Sequence, residues 1–219
     1  MIVLALDTAG VNCSAAIYDS TAGTVLAEVV ETIGKGHAER LMAIVDNALA
    51  AAGLDLQQLQ RVAVTIGPGS FTGIRVGVAA ARGFALSLGI EAVGVTTLAA
   101  LAARHRQAAP GRNVVVAMDA KRGEVYAQVF APDGRPLTDA AELAIADAAV
   151  LPGKYGADAT GSGASLLRGE AAGGEPDNFP IALVARLAAE IPAGAERPRP
   201  LYLRAPDAKP QSGFALSRV

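Results

Sequence analysis

This sequence predicts an α/β fold built around a mixed sheet, and three observations carry the prediction. Short apolar runs separated by turn residues open the chain as three hairpin-connected strands. Helical stretches then alternate with further strands. After Arg112 the strand-turn-strand opening recurs, again with an aspartate directly after the apolar run, which suggests a duplicated fold.

Residues 2–6 read as a first strand that ends at Asp7-Thr8-Ala9-Gly10, and residues 13–18 and 24–30 follow as strands, each after a turn signal. Gly34-Lys35-Gly36 breaks to a helix over His37–Ala52, with Leu41, Ile44, Val45 and Ala48 on one stripe. Residues 62–66 are a buried strand, followed by a glycine turn and a helix over Phe71–Leu88. A strand at Glu91–Val95 and a short helix over residues 97–106 close a first subdomain, residues 1–106. Residues 107–112 look like a crossing into a second subdomain, residues 107–219. There, residues 113–118 and Glu124–Phe130 are strands, Pro132-Asp133-Gly134 is a turn, and residues 181–191 form the one helix that the pattern supports. From Pro192 onward the chain is proline-rich and is expected to lie extended on the surface.

Composition narrows the function. The formal net charge of −2 argues against an autonomous nucleic-acid binder, which would show a basic face. Alanine carries much of the 52% hydrophobic content and tryptophan is absent, so helices should approach one another closely. Cys13 is the single cysteine, which rules out an internal disulfide. Its strand-like surroundings suit a small buried residue rather than a nucleophile. Residues 1–6 lack the basic leader of a signal peptide, and no stretch of roughly 20 residues is free of charge. A cytoplasmic protein without membrane contact is expected.

The most specific pattern is Gly67-Pro68-Gly69-Ser70-Phe71-Thr72-Gly73-Ile74-Arg75. Between strand and helix, such a turn aims backbone N–H groups at one point, where an anion or a tightly packed neighbour can sit. It is not a Walker A loop, since no lysine follows, and the third glycine of a dinucleotide fingerprint would fall on Thr72. Asp7, Thr8, Gly69, Ser70 and Thr72 are thus the candidate phosphate-site residues. Asp7 either holds Mg²⁺ beside a phosphate or is a strand-end turn residue bonded to its own backbone. His37 and His105 are the two histidines, and neither has a second ligand at metal spacing, so no metal site is expected. No catalytic residue is assigned. Gly73, Gly77, Ala81, Ala85 and Gly89 recur every four residues and leave one helix face almost bare. A glycine inside a helix costs roughly 1 kcal/mol against alanine, so close approach of another backbone, from this chain or a second protein, is the offsetting reason.

Six segments resemble the TsaB (YeaZ) family. They are Leu4-Ala5-Leu6-Asp7-Thr8, His37-Ala38-Glu39-Arg40-Leu41, the glycine segment through Gly77, Val93-Gly94-Val95-Thr96-Thr97-Leu98, Asp119-Ala120-Lys121-Arg122-Gly123-Glu124-Val125-Tyr126, and Pro200-Leu201-Tyr202-Leu203-Arg204. They occur in order and span nearly the whole chain. The resemblance implies an actin/Hsp70/sugar-kinase-like fold of two related subdomains, the second reduced. It also implies a place in the bacterial machinery that makes threonylcarbamoyladenosine in tRNA. There the relative TsaD transfers the threonylcarbamoyl group from its adenylate to the adenosine beside the anticodon. TsaE is the ATPase, and the TsaB-type subunit dimerises without catalysing.

By the same resemblance the chain carries no cofactor of its own, ATP, Mg²⁺ and metal being handled by TsaD and TsaE. It reaches tRNA only through the complex, and it pairs with TsaD or, when alone, with itself. The implied interface is a four-helix bundle in which His37, Leu41, Ile44, Val45, Ala48, Gly73, Gly77 and Ala81 face TsaD. The TsaD-type His-x-x-x-His metal pair falls on Thr97 and Leu101, and leucine has no lone pair to give. The turns at Asp7 and Gly69 would then be vestigial. A second reading stays open: a small ATP-dependent phosphotransferase of the same superfamily, with Asp7 near Mg²⁺ and the glycine turns near phosphates. Arg197, Arg199, Arg204, Lys209 and Arg218 make the tail locally basic, either solvated or touching phosphate.

Overall fold

A computed structural model describes residues 1–171, 173 and 176–204. Its first half holds β1 (Ile2–Asp7), β2 (Asn12–Asp19), β3 (Thr24–Thr32), α1 (His37–Ala52), β4 (Arg61–Thr65), α2 (Phe71–Leu88), β5 (Glu91–Val95) and α3 (Thr97–Ala108). The second half holds β6 (Asn113–Lys121), β7 (Glu124–Phe130), β8 (Ala141–Ala144), α4 (Ile145–Ala148), α5 (Leu151–Tyr155), β9 (Ala157–Thr160), α6 (Ala164–Leu167) and α7 (Ile181–Glu190).

The first sheet has the order β3-β2-β1-β4-β5: antiparallel across β1, β2 and β3, parallel across β1, β4 and β5. The second has the order β8-β7-β6-β9 with the same directions, so among the described residues it repeats four of the first sheet's five strands. This is the actin/Hsp70/sugar-kinase-like arrangement of two related halves.

Strand alternation distributes the core over both faces. Leu4, Leu6, Ile17, Val62 and Val64 meet α1 and α2 on one face of the first sheet. Val3, Ala5, Ala16 and Ala63 meet Ile181, Val184, Ala185 and Ala188 of α7 on the other. The sequence reading assigns residues 107–219 to the second subdomain. The structure instead returns α7 to the first sheet, because its apolar stripe fits the face that α1 and α2 leave uncovered. Helix α3 joins the two halves: Ala100 packs toward α7, while Leu98 and Leu101 pack on Val114, Val116 and Met118 of the second sheet. Among the described helices, only α2 is long and apolar enough to cross a membrane. Its Ile74, Val78, Ala81 and Ala85 are spent on the first sheet.

Candidate functional site: two glycine turns

Parallel pairing of β1 with β4 sets Leu6 opposite Val64, which brings Asp7 and Thr65 together at the strand ends. The Thr65 hydroxyl donates to Asp7 Oδ1, and so does the Ala9 N–H, at 3.0 Å. Asp7 is buried, and loss of hydration lifts its carboxyl above the usual carboxylate range. Its hydrogen bonds and the nearby His37 pull the other way without cancelling that effect. The glycine turn is pressed directly onto this strand end. The Ser70 N–H donates to Ala9 O at 2.7 Å, the Thr8 hydroxyl donates to Gly73 O at 2.7 Å, and Ser70 Oγ caps α2 by accepting from Gly73 N–H at 3.2 Å. A Cβ on Gly69 would run into Ala9 O, and one on Gly73 into Thr8 O, both far inside 3.0 Å. From the other side, Thr97 N–H donates to Gly67 O and Leu201 N–H to Ile66 O.

Asp7, Thr8, Gly69 and Ser70 thus lie together, with Asp7 bonded to Thr65 and Ala9, Thr8 to Gly73, and Ser70 to Ala9 and Gly73. Gly69, Ser70 and Thr72 lie at the surface over the buried Asp7 and Thr8. Asp7 is not an exposed turn carboxylate.

The second half repeats the device. Val116 sits opposite Thr160, and the turn Gly161-Ser162-Gly163 returns to β6 through Gly163 N–H donating to Ala117 O at 2.9 Å. Ser162 Oγ donates to Asp177 Oδ2 at 2.6 Å and accepts from Asp119 N–H at 2.9 Å. Burial raises the Asp177 carboxyl above the usual range. At Asp119 burial acts in the same sense, but the Lys121 ammonium at 2.6 Å and the Lys121 N–H outweigh it and hold that carboxyl low. Among the described residues no three of His, Cys, Asp and Glu gather as a metal site. Thr97 and Leu101 are both buried in α3. Sequence reasoning missed Thr65 and Asp177, whose signals, a hydroxyl at a strand end and an aspartate in a Gly/Pro-rich stretch, are too common to stand out.

The expected partner interface is corrected outright. His37, Leu41, Ile44, Val45, Ala48, Gly73, Gly77 and Ala81 are all buried within the chain. Gly77 faces Thr8 Oγ1 and Val64 rather than a second protein, with a Cβ there placed 2.5 and 3.2 Å from them. The small residues exist so that α2 can lie against the end of β1. Helices α1 and α2 do share one face of the sheet, and their outward sides carry Met42 and Asp46 on α1 and Phe71, Arg75, Ala79, Gly83 and Leu86 on α2.

The tail is corrected in part. Residues 198–204 form no helix or strand, yet they bridge the halves: Leu201 bonds to Ile66, Leu203 joins the core around Leu98 and Phe130, and Arg204 pairs with Glu124 and Glu142. Arg199 pairs with Glu196. Two of the tail's cations therefore have carboxylate partners, while Lys209 and Arg218 lie outside the described residues.

Residues 24–162 match the family model for TsaD, tRNA N6-adenosine threonylcarbamoyltransferase. The tRNA threonylcarbamoyladenosine biosynthesis protein TsaB of Escherichia coli is 37% identical over 126 residues, 58% of this chain and 53% of that protein. The TsaB of Bacillus subtilis is 35% identical over 59% of this chain and 55% of its own length. The matched region thus spans about half the length of these TsaB relatives. An uncharacterised Mycobacterium tuberculosis protein is 38% identical over 95% of this chain and 94% of its own. Among solved structures, YeaZ from Pseudomonas aeruginosa superposes with a TM-score of 0.73 at 28% identity, covering 92% of this chain and 99% of that one. With its two-halved frame and glycine turns, the chain belongs to the TsaB/YeaZ family, among the proteins that the TsaD family model describes.

Proposed function

We propose that this chain is the scaffold, or dimerisation, subunit of a cytoplasmic machine that forms threonylcarbamoyladenosine in tRNA. It acts with TsaD and TsaE, catalyses no step itself, and meets tRNA only through the complex. ATP, Mg²⁺ and metal belong to the partners.

One observation carries this reading: the first glycine turn is closed by its own chain. A phosphotransferase of this fold needs an aspartate facing Mg²⁺ and free turn N–H groups facing phosphate. Here Asp7 is buried against Thr65 and Ala9, and Ser70 N–H and Gly73 N–H already have acceptors. Opening that site would break a packed strand end, which disfavours ATP turnover by the isolated chain. Leu101 adds to the argument, since it fills core where a metal ligand would be needed. The outward sides of α1 and α2 supply the surface for TsaD in place of the buried stripe.

Reconstitution tests the reading. The pure chain should bind no ATP in calorimetry, form a complex with purified TsaD, and restore threonylcarbamoyl transfer to a TsaD–TsaE mixture that is inactive without it. Tight ATP binding by the chain alone, with transfer of its γ-phosphate to a small acceptor, would establish the phosphotransferase instead.

A further inference from the structure

The chain is poor in aromatic residues, with five Phe, four Tyr and no Trp, yet two rings stand exposed side by side. Phe71 is 56% and Tyr202 47% exposed. Their centroids lie 5.3 Å apart, and the rings are tilted by 36°. Arg75, one turn along α2 from Phe71, lays its guanidinium 3.6 Å from the Phe71 centroid and donates from Nε to Tyr202 Oη at 2.8 Å. Tyr202 arrives from 127 residues along the chain, carried by the segment that Leu201 and Arg204 fasten on either side. The cluster is therefore built by two separate segments and joined by the Arg75–Tyr202 bond and the ring contacts.

We propose that Phe71, Arg75 and Tyr202 form a docking site for a carboxylate of the protein partner, set beside an apolar side chain that covers the rings. The proposal rests on the subunit reading above. Tyr202 occupies Nε, which leaves the two Nη groups of Arg75 to grip a carboxylate side by side, a geometry lysine cannot reproduce. Arg40, Arg61, Arg112, Arg168, Arg199 and Arg204 each have a carboxylate partner. Arg75 has none among the described residues, and its bonds are to the two rings. Side chains pre-ordered in this way lose little freedom on binding, and arginine with tyrosine is the composition of interface hot spots. A nucleic acid fits less well. Binding to phosphates draws on several cations, and the nearby Arg204 is held between two carboxylates, Glu124 and Glu142.

The test uses the full chain and purified TsaD from the same organism, with affinity measured at low and moderate salt. Arg75→Glu should weaken binding about a hundredfold or more, Phe71→Ala and Tyr202→Ala at least tenfold, and Arg75→Lys about tenfold. All should melt near the wild-type temperature, because the three side chains are exposed. A Glu→Arg or Asp→Arg change on TsaD should restore binding to Arg75→Glu. Wild-type affinity in all four variants would overturn the docking site and leave the subunit reading standing. Failure of the wild-type chain to bind TsaD would overturn both. Binding of tRNA by the free chain that Arg75→Glu abolishes would replace the carboxylate with phosphate and overturn the assignment.

Discussion

The two halves solve the same packing problem with different means. In each, the glycine turn after the fourth strand is pressed onto the first, at the end of β1 where Gly73 meets Thr8 O and at the middle of β6 where Gly163 meets Ala117 O. The first half fastens its turn with α2, a helix of 18 residues whose inward face is Gly73, Ile74, Gly77, Val78, Ala81 and Ala85. The second half has only the four-residue α6 after its turn, and bonds running from the Asp119 N–H through Ser162 Oγ to the Asp177 carboxyl add to the fastening. Backbone fit secures both turns, since a Cβ on Gly161 would also run into Ala117 O, but the second turn adds the Ser162–Asp177 bonding that the first replaces with a long helix. In both, turn N–H groups are taken up by the chain itself, those of Ser70 and Gly73 in the first and of Ser162 and Gly163 in the second.

Replacement of Gly73, where α2 starts, and of Gly163, where α6 starts, should separate the two most widely. A Cβ at Gly73 collides with backbone, which cannot yield locally, so Gly73→Ala should cost about 3 kcal/mol or more and leave the chain largely unfolded on warming. Gly77→Leu belongs with it, since Thr8 and Val64 already fill the space. The isolated chain should melt well below wild type, whereas a partner-facing position would have spared its stability. At Gly163 the nearest atom is the side-chain end of Val125 at 2.9 Å, and Gly163→Ala should cost only about 1 kcal/mol. Thermal unfolding of the three variants decides the comparison, and equal losses at Gly73 and Gly163 would break it.

Asp7 gives the next largest effect. Removing it as Asp7→Ala strands the Ala9 N–H and the Thr65 hydroxyl, each worth about 1–3 kcal/mol when buried without an acceptor. Relief of the buried charge offsets part, and a net loss of about 2 kcal/mol is expected near neutral pH. Asp7→Asn keeps an acceptor and sheds the charge. Because burial raises the Asp7 carboxyl above its ordinary value of 3.8, the folded state holds its proton more tightly than the unfolded state. Stability from this group is therefore greatest below pH 3.8 and declines as pH climbs through the raised value. Asp7→Asn should remove that decline, so its unfolding free energy should gain on wild type across this window. A wild-type profile that rises there with Asp7 as its source would contradict the buried, self-satisfied carboxylate.

What the sequence shows of this plan follows element strength. Helices α1 and α2 and strands β5 and β7 are legible to the residue, because long periodic stripes and branched apolar runs mark them. Strands β8 and β9 and helices α4, α5 and α6 are four or five residues each, rich in Ala and Gly, and carry no period to detect. The apolar stripe of α1 and the glycine face of α2 are plain as patterns, but a pattern states only that something packs closely. Whether the neighbour is the protein's own sheet or another chain is a tertiary fact. The same limit hides Phe71 and Tyr202, which lie in two recognisable segments yet meet only in the folded chain.

Smaller effects than at Gly73 or Asp7 should come from the two turn serines, Ser70 and Ser162. Ser70 Oγ receives one N–H, at a long 3.2 Å and at an exposed helix start. Water can replace it there, so Ser70→Ala should cost about 0.5–1 kcal/mol. Ser162 Oγ joins two partners at 2.6 and 2.9 Å, and one of them is a carboxylate withdrawn from water. Ser162→Ala should cost about 1–2 kcal/mol, since Asp177 loses a donor that holds its charge and Asp119 N–H loses its acceptor. Loss of that donor also lets burial raise the Asp177 carboxyl further, so the variant's deficit should grow as pH rises above the ordinary carboxylate range. Denaturant unfolding of both variants at pH 4 and pH 7 reads this directly. A deficit for Ser70→Ala that matches Ser162→Ala at both pH values would mean that hydroxyl bonding secures the two turns alike, and the added polar fastening of the second turn would fall.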